Sequence, residues 1–261
     1  MKPSLPQVAR IVQIVDESPR VRTLVFDLSM TAEPGQFVMA WLPGVDEKPF
    51  SLMRANPVTL AIARVGPFSS AVHRLGVGDR LWLRGPLGQP FILPPIETDQ
   101  PPAGGTNREA LLLVAGGYGV APLHFLAERA RAQDWEVWVV IGAETAADVI
   151  LADRFVALGA QVRIATEDGS RGEQGLATDA VERLLDSTRF RMVYACGPEP
   201  MLDAVERLAR RYHLPAQLSY ERYMRCGFGV CGSCARKGWL VCRDGPVWHV
   251  PIHHENVEDK V

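Results

Sequence analysis

The sequence predicts a multidomain protein of the α/β plus β class, with an N-terminal antiparallel β-barrel, a Rossmann-like parallel α/β domain and a short C-terminal lobe. Three observations predict this architecture. Apolar stretches with period-two alternation fill residues 8–93, apolar runs alternate with helical stretches between residues 110 and 211, and four of the five cysteines lie in the last 36 residues. A chain of 261 residues is long enough for one to three compact units.

The composition excludes several classes of protein. Apolar residues make up 47% of the chain and charged residues 22%, which is typical of a folded globular protein and not of a disordered one. Lys and Arg number 28 against 30 Asp and Glu, so the basic excess of a nucleic-acid-binding protein is missing. No apolar run approaches the roughly 20 residues of a membrane span, and the N-terminus lacks the apolar region of a signal peptide. We therefore expect a cytoplasmic protein without a membrane span.

Antiparallel strands of a small barrel or sandwich are expected in five apolar segments, several of which alternate with period two: VARIVQIV, VRTLVFDL, QFVMAWL, LAIARV and DRLWLRG. One short helix is expected around residues 70–75. The segment Lys48-Pro49-Phe50-Ser51 and residues 85–88 stand at strand ends and, taken alone, are interpreted as turns. A lysine close to a serine can bind a phosphate, but such a pair is common by chance.

Residues 94–105, which are rich in proline and glycine, form the predicted domain boundary. After them the apolar run at 110–115 leads into a Gly-Gly-x-Gly turn and a helix. The strands EVWVVIGA, QVRIAT and RMVYAC then alternate with helices around residues 148–158, 176–186 and 199–211. This alternation predicts right-handed βαβ units and a parallel sheet covered by helices.

Two glycine-containing turns are expected at the carboxyl edge of that sheet, where open α/β sheets bind ligands. Gly116-Gly117-x-Gly119 lets the chain approach a pyrophosphate at the start of a helix, although the motif is weak by itself. Cys196-Gly197-Pro198 ends a later strand, and two such turns can flank one dinucleotide. By residue type alone, Cys196 is interpreted as a small buried apolar residue.

The segment after the next strand bears on the choice of dinucleotide. Glu144 and Asp148 stand where a 2′-phosphate would need Arg or Lys, which favours NAD(H) over NADP(H). The alternative is that both residues form the solvated start of a helix.

The cysteine spacing is the most specific signal in the chain. Cys226-x4-Cys231-x2-Cys234-x7-Cys242 matches the C-x4-C-x2-C run of plant-type [2Fe-2S] sites followed by a fourth cysteine. A structural zinc site more often uses two C-x2–4-C pairs, and disulfides need an oxidising compartment. Zinc binding, disulfides and unrelated core cysteines remain the alternatives.

These motifs occur in a known order along the chain: KPFSL, GPLGQPF, LLVAGGYGVAPL, YACGPEPM, SYERYMRCGFGVCGSC and VCRDGPVW. The chain resembles the ferredoxin-NADP reductase superfamily and, within it, the family of electron transfer subunits of B-type dihydroorotate dehydrogenase. The resemblance covers essentially the whole chain, and the cysteine block is its most specific part. It implies an FAD-binding β-barrel in residues 1–100, an NAD-binding α/β domain in 105–218 and a [2Fe-2S] lobe in 219–261.

The resemblance also implies cofactor-binding residues in each unit. Those for FAD are Lys48, Pro49, Phe50, Ser51, Ile62, Ala63, Arg64, Phe68 and Ser69. Lys48 replaces the usual arginine and so loses the guanidinium fork, and Phe68 with Ser69 replaces the usual Gly-Thr. Those for NAD(H) are Gly116, Gly117, Gly119, Cys196, Gly197 and Pro198, which moves Cys196 from the core to the nicotinamide. The cluster ligands are Cys226, Cys231, Cys234 and Cys242, with a final gap shorter than the family commonly has.

The implied function is electron transfer from a separate FMN-containing dihydroorotate dehydrogenase subunit, through [2Fe-2S] and FAD, to NAD⁺ in pyrimidine biosynthesis. A heterotetramer of two copies of each subunit is expected, and no residue is predicted to act as a catalytic acid or base. Two alternatives stay open. One is a similar subunit of a sulfhydrogenase, a sulfite reductase or an NADH-dependent ferredoxin:NADP oxidoreductase, and the other is a non-enzymatic nucleotide-binding module with a zinc clip.

Overall fold

The computed structural model describes residues 5–95 and 110–250. Most of the predicted boundary at residues 94–105 lies outside these ranges, so the domain limits stay a prediction. No helix of the described residues is long and apolar enough to cross a membrane.

The N-terminal unit is a seven-stranded antiparallel sheet that curves like a barrel. Its elements are β1 (Gln7–Ser18), β2 (Val21–Phe26), β3 (Phe37–Leu42), β4 (Asp46–Ser51), β5 (Arg54–Ala55), β6 (Val58–Ala63), α1 (Pro67–Val72) and β7 (Arg80–Leu87). The strand order is β4-β3-β7-β1-β2-β6-β5. Alternate side chains such as Ile11, Leu24 and Leu60 fill the interior, which confirms the period-two prediction.

The interpretation of two segments as turns is wrong. Lys48-Pro49-Phe50-Ser51 lies within β4, where Lys48 is opposite Ala40 and Ser51 is opposite Phe37 of β3. β4 is the edge strand of its sheet, so Pro49 can enter it without breaking a hydrogen bond to a further strand. Gly85, Pro86 and Leu87 likewise continue β7 instead of ending it. The short helix begins at Pro67, three residues before the predicted start.

The second unit is a predominantly parallel sheet with helices on both faces. Its elements are β8 (Ala110–Gly116), α2 (Val120–Arg131), β9 (Glu136–Ala143), α3 (Ala152–Ala157), β10 (Gln161–Thr166), β11 (Glu173–Gln174), α4 (Ala177–Ser187), β12 (Phe190–Cys196), α5 (Glu199–Arg211) and β13 (Ala216–Ser219). The helix expected at 148–158 is shorter, because Leu151 adopts a left-handed conformation with φ of 61° before α3 begins. The parallel strands confirm the predicted βαβ architecture.

The cysteine-rich segment packs on both larger units. It contains β14 (Ala235–Arg236), β15 (Trp239–Leu240), α6 (Val241–Asp244) and β16 (Val247–Val250). β16 pairs antiparallel with β13 and so becomes the edge of the parallel sheet. Cys242 and Val241 share a buried apolar cluster with Leu218 of β13. The segment therefore uses the core of its neighbour, as its small size requires.

Candidate functional site

A cavity of about 510 Å³ opens at the carboxyl ends of β8, β9 and β12. The turn from Gly116 to Gly119 forms one wall, and Gly197 with Pro198 forms another. The two turns are in backbone contact, since a Cβ atom on Gly119 would lie 2.1 Å from the carbonyl oxygen of Cys196. Only glycine allows this approach. The turn leads directly into α2, whose first amides can bind a pyrophosphate.

The far rim of this cavity is acidic. Glu144, Asp148 and Glu167 line it, and Asp148 accepts a hydrogen bond of 2.8 Å from the Thr145 hydroxyl. These carboxylates would repel a 2′-phosphate but can accept hydrogen bonds from ribose hydroxyls. The geometry therefore supports the sequence argument for NAD(H).

Two titratable groups lie near the inner end of the cavity. Cys196 is buried, and burial together with the charge of Glu221 raises the pKa of its thiol far above the ordinary value. Glu221 lines the cavity and is exposed there, and desolvation by the surrounding protein raises the pKa of its carboxyl. Cys196 is therefore a neutral thiol and not a nucleophile.

The predicted flavin segments meet on one side of the barrel. The ring of Phe50 in β4 stacks on that of Phe68 in α1, with centroids 5.9 Å apart. The Ser69 hydroxyl accepts hydrogen bonds from the backbone amides of Val65 and Gly66, at 2.9 and 3.0 Å, and so fixes the start of α1. Ile62 is completely buried, and its carbonyl oxygen lies 2.8 Å from Nε2 of His73.

A second cavity, of about 370 Å³, lies beside these segments, and Arg64, Arg22 and His73 line part of it. Arg22 is held by Asp16 at 2.7 Å and by the His73 carbonyl at 2.7 Å. The guanidinium of Arg64 has no hydrogen-bond or ion-pair partner within residues 5–95 and 110–250. An unpaired arginine at the edge of a cavity fits the phosphates of FAD.

Lys48 occupies the position where the family usually has arginine. Its Nζ atom lies 2.5 Å from a carboxylate oxygen of Asp46 and 5.2 Å from the centroid of the Tyr223 ring. Hydrogen bonding to Lys48 lowers the pKa of Asp46. Lys48 therefore forms an ion pair with Asp46 and a cation–π contact with Tyr223 of the cysteine-rich lobe.

The four C-terminal cysteines form two pairs. The Sγ atoms of Cys234 and Cys242 are 3.3 Å apart, and the thiols of Cys226 and Cys231 are hydrogen-bond neighbours. In the part of the chain that the structure describes, no three Cys, His, Asp or Glu side chains are close enough to hold a single metal ion. Two pairs suit the two irons of a [2Fe-2S] cluster better than one tetrahedral zinc.

Backbone amides point at these sulfur atoms. The amide of Gly229 donates to Sγ of Cys242 at 3.2 Å, that of Val230 to Sγ of Cys226 at 3.4 Å, and that of Cys242 to Sγ of Cys234 at 3.4 Å. Such N–H···S bonds stabilise the charge of a bound cluster and tune its potential. The loop therefore fits the group that its spacing predicts.

The surroundings shift the pKa values of Cys226, Cys231 and Cys242 in different directions. A hydrogen bond with Ser233 lowers the pKa of Cys231, which is exposed, to about 6. Burial opposes ionisation of Cys226, yet the amides of the loop outweigh it and lower the pKa of this thiol. Burial and the neighbouring Cys234 raise the pKa of Cys242 to about 12.

A buried arginine joins the cysteine lobe to the nucleotide domain. The guanidinium carbon of Arg236 lies 3.6 Å from the centroid of the Tyr220 ring. Its Nη2 atom lies 3.0 Å from Oε1 of Glu199, the first residue of α5. Arg222 binds both oxygens of the same carboxylate, at 2.9 and 2.7 Å. Hydrogen bonds from Arg222 and Arg236 lower the pKa of Glu199. The lobe is thereby fixed next to the Cys196 turn.

Sequence reasoning missed several residues of these sites. Glu167, Arg20 and Glu221 line the nucleotide cavity, and Glu221 stands two residues after β13 at the carboxyl edge of the sheet. Recognition of the short strand β13 would have indicated Glu221. Arg236 had no sequence signal, because its partners are distant in the chain.

Comparison with known families identifies two regions. Residues 113–207 match the family described as the oxidoreductase NAD-binding domain. Residues 221–250 match the iron-sulfur cluster binding domain of dihydroorotate dehydrogenase B. The second match covers the paired thiols and supports an iron–sulfur cluster over zinc.

Similar proteins cover nearly the whole chain. Probable electron transfer subunits of dihydroorotate dehydrogenase B (NAD⁺) from Methanocaldococcus jannaschii and Thermococcus kodakarensis are each 40% identical, over 93% of this chain and over 89% and 95% of theirs. A solved NADH-dependent reduced ferredoxin-NADP oxidoreductase is 26% identical, with a TM-score of 0.79 over 93% of this chain and 88% of its own. The ferredoxin reductase in carbazole 1,9a-dioxygenase is 25% identical, with a TM-score of 0.65 over 82% and 67%.

Proposed function

Since this chain belongs to the family of electron transfer subunits of dihydroorotate dehydrogenase B, we propose that it carries electrons from an FMN-containing dihydroorotate dehydrogenase subunit to NAD⁺. It is an NAD-dependent oxidoreductase subunit of the ferredoxin-NADP reductase fold, with FAD, an iron–sulfur cluster and NAD(H) as its cofactors. The proposal concerns the partner, the direction of electron flow and the residues that serve each cofactor.

The arrangement of the three sites carries this proposal. Arg20 of the barrel lines the nucleotide cavity, while Tyr223 of the cysteine lobe covers Lys48 of the flavin strand. Arg64 donates its backbone amide to the carbonyl oxygen of Arg20 at 2.8 Å, so the proposed flavin segments adjoin the nucleotide cavity through Arg64 and the cysteine lobe through Lys48. When bound there, FAD can exchange two electrons with a nicotinamide and one with an iron–sulfur centre, so it belongs between the two.

In this proposal the protein positions its cofactors and does not supply acid–base chemistry. The glycines at 116, 117 and 119 hold the pyrophosphate. The Cys196-Gly197-Pro198 turn supports the nicotinamide through Gly197 and Pro198, while the neutral Cys196 thiol stays buried. Cys226, Cys231, Cys234 and Cys242 hold the cluster. Arg64 and the start of α1 hold the FAD phosphates, Ala63 contributes its backbone, and Phe50 packs beside the flavin.

The partner is tested by coexpression with a candidate FMN-containing dihydroorotate dehydrogenase subunit. We expect the two chains to copurify, and the complex to reduce NAD⁺ when dihydroorotate is added. The catalytic subunit alone is the control, and it should reduce an artificial acceptor but not NAD⁺. A complex that oxidises dihydroorotate without reducing NAD⁺ would contradict the proposal.

The size of the complex is a separate question. We propose two copies of each subunit, and light scattering of the purified complex at micromolar concentration measures this directly. A mass equal to one copy of each subunit would contradict the stoichiometry without affecting the proposed path of electrons.

A second candidate follows from the similarity to the NADH-dependent reduced ferredoxin-NADP oxidoreductase. A subunit of this kind would serve a different redox partner with the same cofactors. Reduced ferredoxin distinguishes the two candidates. Only the second candidate predicts that reduced ferredoxin reduces the flavin faster than dihydroorotate does in the presence of its FMN subunit.

A further inference from the structure

A buried arginine of the barrel lies beneath the cysteine loop. Arg84 in β7 donates from Nη2 to the carbonyl oxygen of Cys226 at 2.9 Å and to both carboxylate oxygens of Glu47 at 3.0 Å. Its guanidinium carbon lies 5.6 Å from the centroid of the Phe228 ring. Nη1 is buried and has no hydrogen-bond partner within the described ranges. The N–H groups of Nη1 are therefore left without an acceptor, although Glu47 balances the charge of the guanidinium.

The contacts of Arg84 join two of the three sites. Glu47 immediately precedes Lys48 in the flavin strand β4, and Cys226 is the first thiol of the cysteine loop. The loop rests directly on the barrel here, because a Cβ atom on Gly227 would lie 2.8 Å from Cγ of Met39. One guanidinium thus binds the strand that serves the flavin and the loop that serves the cluster.

Burying an arginine is costly, and an apolar side chain could pack the same space more cheaply. Its charge has an electrostatic effect that an apolar residue lacks. A one-electron reduction adds negative charge at the thiol pairs, which a nearby buried cation favours and a nearby carboxylate opposes. Arg84 and Glu47 therefore act in opposite directions on the same equilibrium.

We propose that Arg84 is a positioning residue that holds the Cys226 loop on the flavin strand, and that the Arg84–Glu47 pair sets the reduction potential of the cluster. The inference rests on the proposed cluster ligands and deepens the proposed function. It assigns control of the cluster potential to two barrel residues that are distant from the cysteines in sequence.

The test is a redox titration of the anaerobic holoprotein with dithionite, followed by the electron paramagnetic resonance signal of the reduced cluster. Arg84→Met removes the cation and leaves Glu47, so the reduction potential of the cluster should become more negative in this variant. Glu47→Gln leaves the cation, so the reduction potential of the cluster should become more positive. We expect each shift to correspond to about tenfold in the equilibrium constant of reduction, equal to about 59 mV for one electron.

A purely structural role predicts a different pattern. If the substitutions only loosened the loop, they would expose the cluster to water and shift its reduction potential in the same direction in both variants. Arg84→Lys keeps the charge but cannot bind Glu47 and the Cys226 carbonyl with a fork, so it should shift the potential less than Arg84→Met while losing iron to a chelator faster than the wild type. Shifts of the same sign in Arg84→Met and Glu47→Gln, or none, would overturn the inference.

The controls use an exposed pair of the same chemistry. Arg183 and Glu173 form an ion pair on the nucleotide domain, and Arg183→Met and Glu173→Gln should leave the potential unchanged. If Arg84→Met fails to retain iron, the positive shift of Glu47→Gln alone decides the matter. Wild-type protein that binds no iron would instead refute the proposed function, so the two failures are distinguishable.

Discussion

The nucleotide cavity and the cysteine loop are built in different ways. The cavity is formed by backbone, with the Gly116–Gly119 turn touching the Cys196 turn at the end of the fully buried strand β8. The loop contains almost no regular structure between Tyr220 and Ala235, and its shape depends on side chains. Arg84 attaches it to the barrel, and Arg236 attaches it to α5.

This difference has consequences for how each site responds to change. A backbone cavity keeps its shape without its ligand, because the strands and turns that form it are stabilised by their own hydrogen bonds. A loop of thiols and glycines gains much of its stability from the metal that it binds. We therefore expect the two sites to fail independently of each other.

The strongest test of that independence is Cys231→Ala. Cys231 is exposed, so its removal leaves no cavity, but a cluster of two irons needs four ligands. We expect iron to fall from about two per chain to near zero, while NADH oxidation with a two-electron artificial acceptor is retained. Ser233→Ala, which removes only the hydroxyl beside Cys231, should keep its iron. Equal loss of iron and of NADH oxidation with the artificial acceptor would contradict the proposed order of carriers.

Gly119→Ala tests whether the nucleotide cavity can fail while the cluster is retained. The added Cβ would meet the Cys196 carbonyl and force the two turns apart. We expect the kcat/KM for NADH to fall about 100-fold, because the nicotinamide is displaced from the flavin. Iron and FAD contents should not change. Gly76→Ala is the control, since the nearest atom to its new Cβ would be 3.9 Å away.

Arg236→Met examines the attachment between the two regions. The substitution removes a buried guanidinium and its ion pair with the partly exposed carboxylate of Glu199, which Arg222 still neutralises. We expect the free energy of unfolding to fall by about 2 kcal/mol and iron loss to a chelator to accelerate. Arg210→Met, at an exposed pair with Glu206, should cost less than about 0.5 kcal/mol. Similar losses in the two variants would show that the attachment is unimportant.

Glu144→Arg should give the smallest effect. Replacing a rim carboxylate by a cation offers a partner for a 2′-phosphate, so the preference for NADH over NADPH should fall about tenfold, measured as the ratio of kcat/KM values. Asp153→Arg makes the same change outside the cavity and should leave the ratio unaltered. An unchanged ratio in Glu144→Arg would mean that the adenosine ribose lies elsewhere.

The same contrast explains what the sequence could predict. The barrel and the parallel sheet were predictable, because alternation and buried apolar runs report strands directly. β4 was mistaken for a turn, since proline suggests a break and only the sheet order reveals an edge strand. The cysteine spacing predicted the cluster loop. Its attachment through Arg84 and Arg236 could not be predicted, because it depends on contacts between residues far apart in the chain.

In the proposed function, one chain holds a two-electron and a one-electron carrier next to each other. Anaerobic titration with dithionite, followed by absorbance, counts the electrons that the chain accepts. We predict about three electron equivalents per wild-type chain and about two for Cys231→Ala, because FAD accepts two and a [2Fe-2S] centre accepts one. Two equivalents in the wild type, with a spectrum identical to that of Cys231→Ala, would show that the chain holds no one-electron carrier.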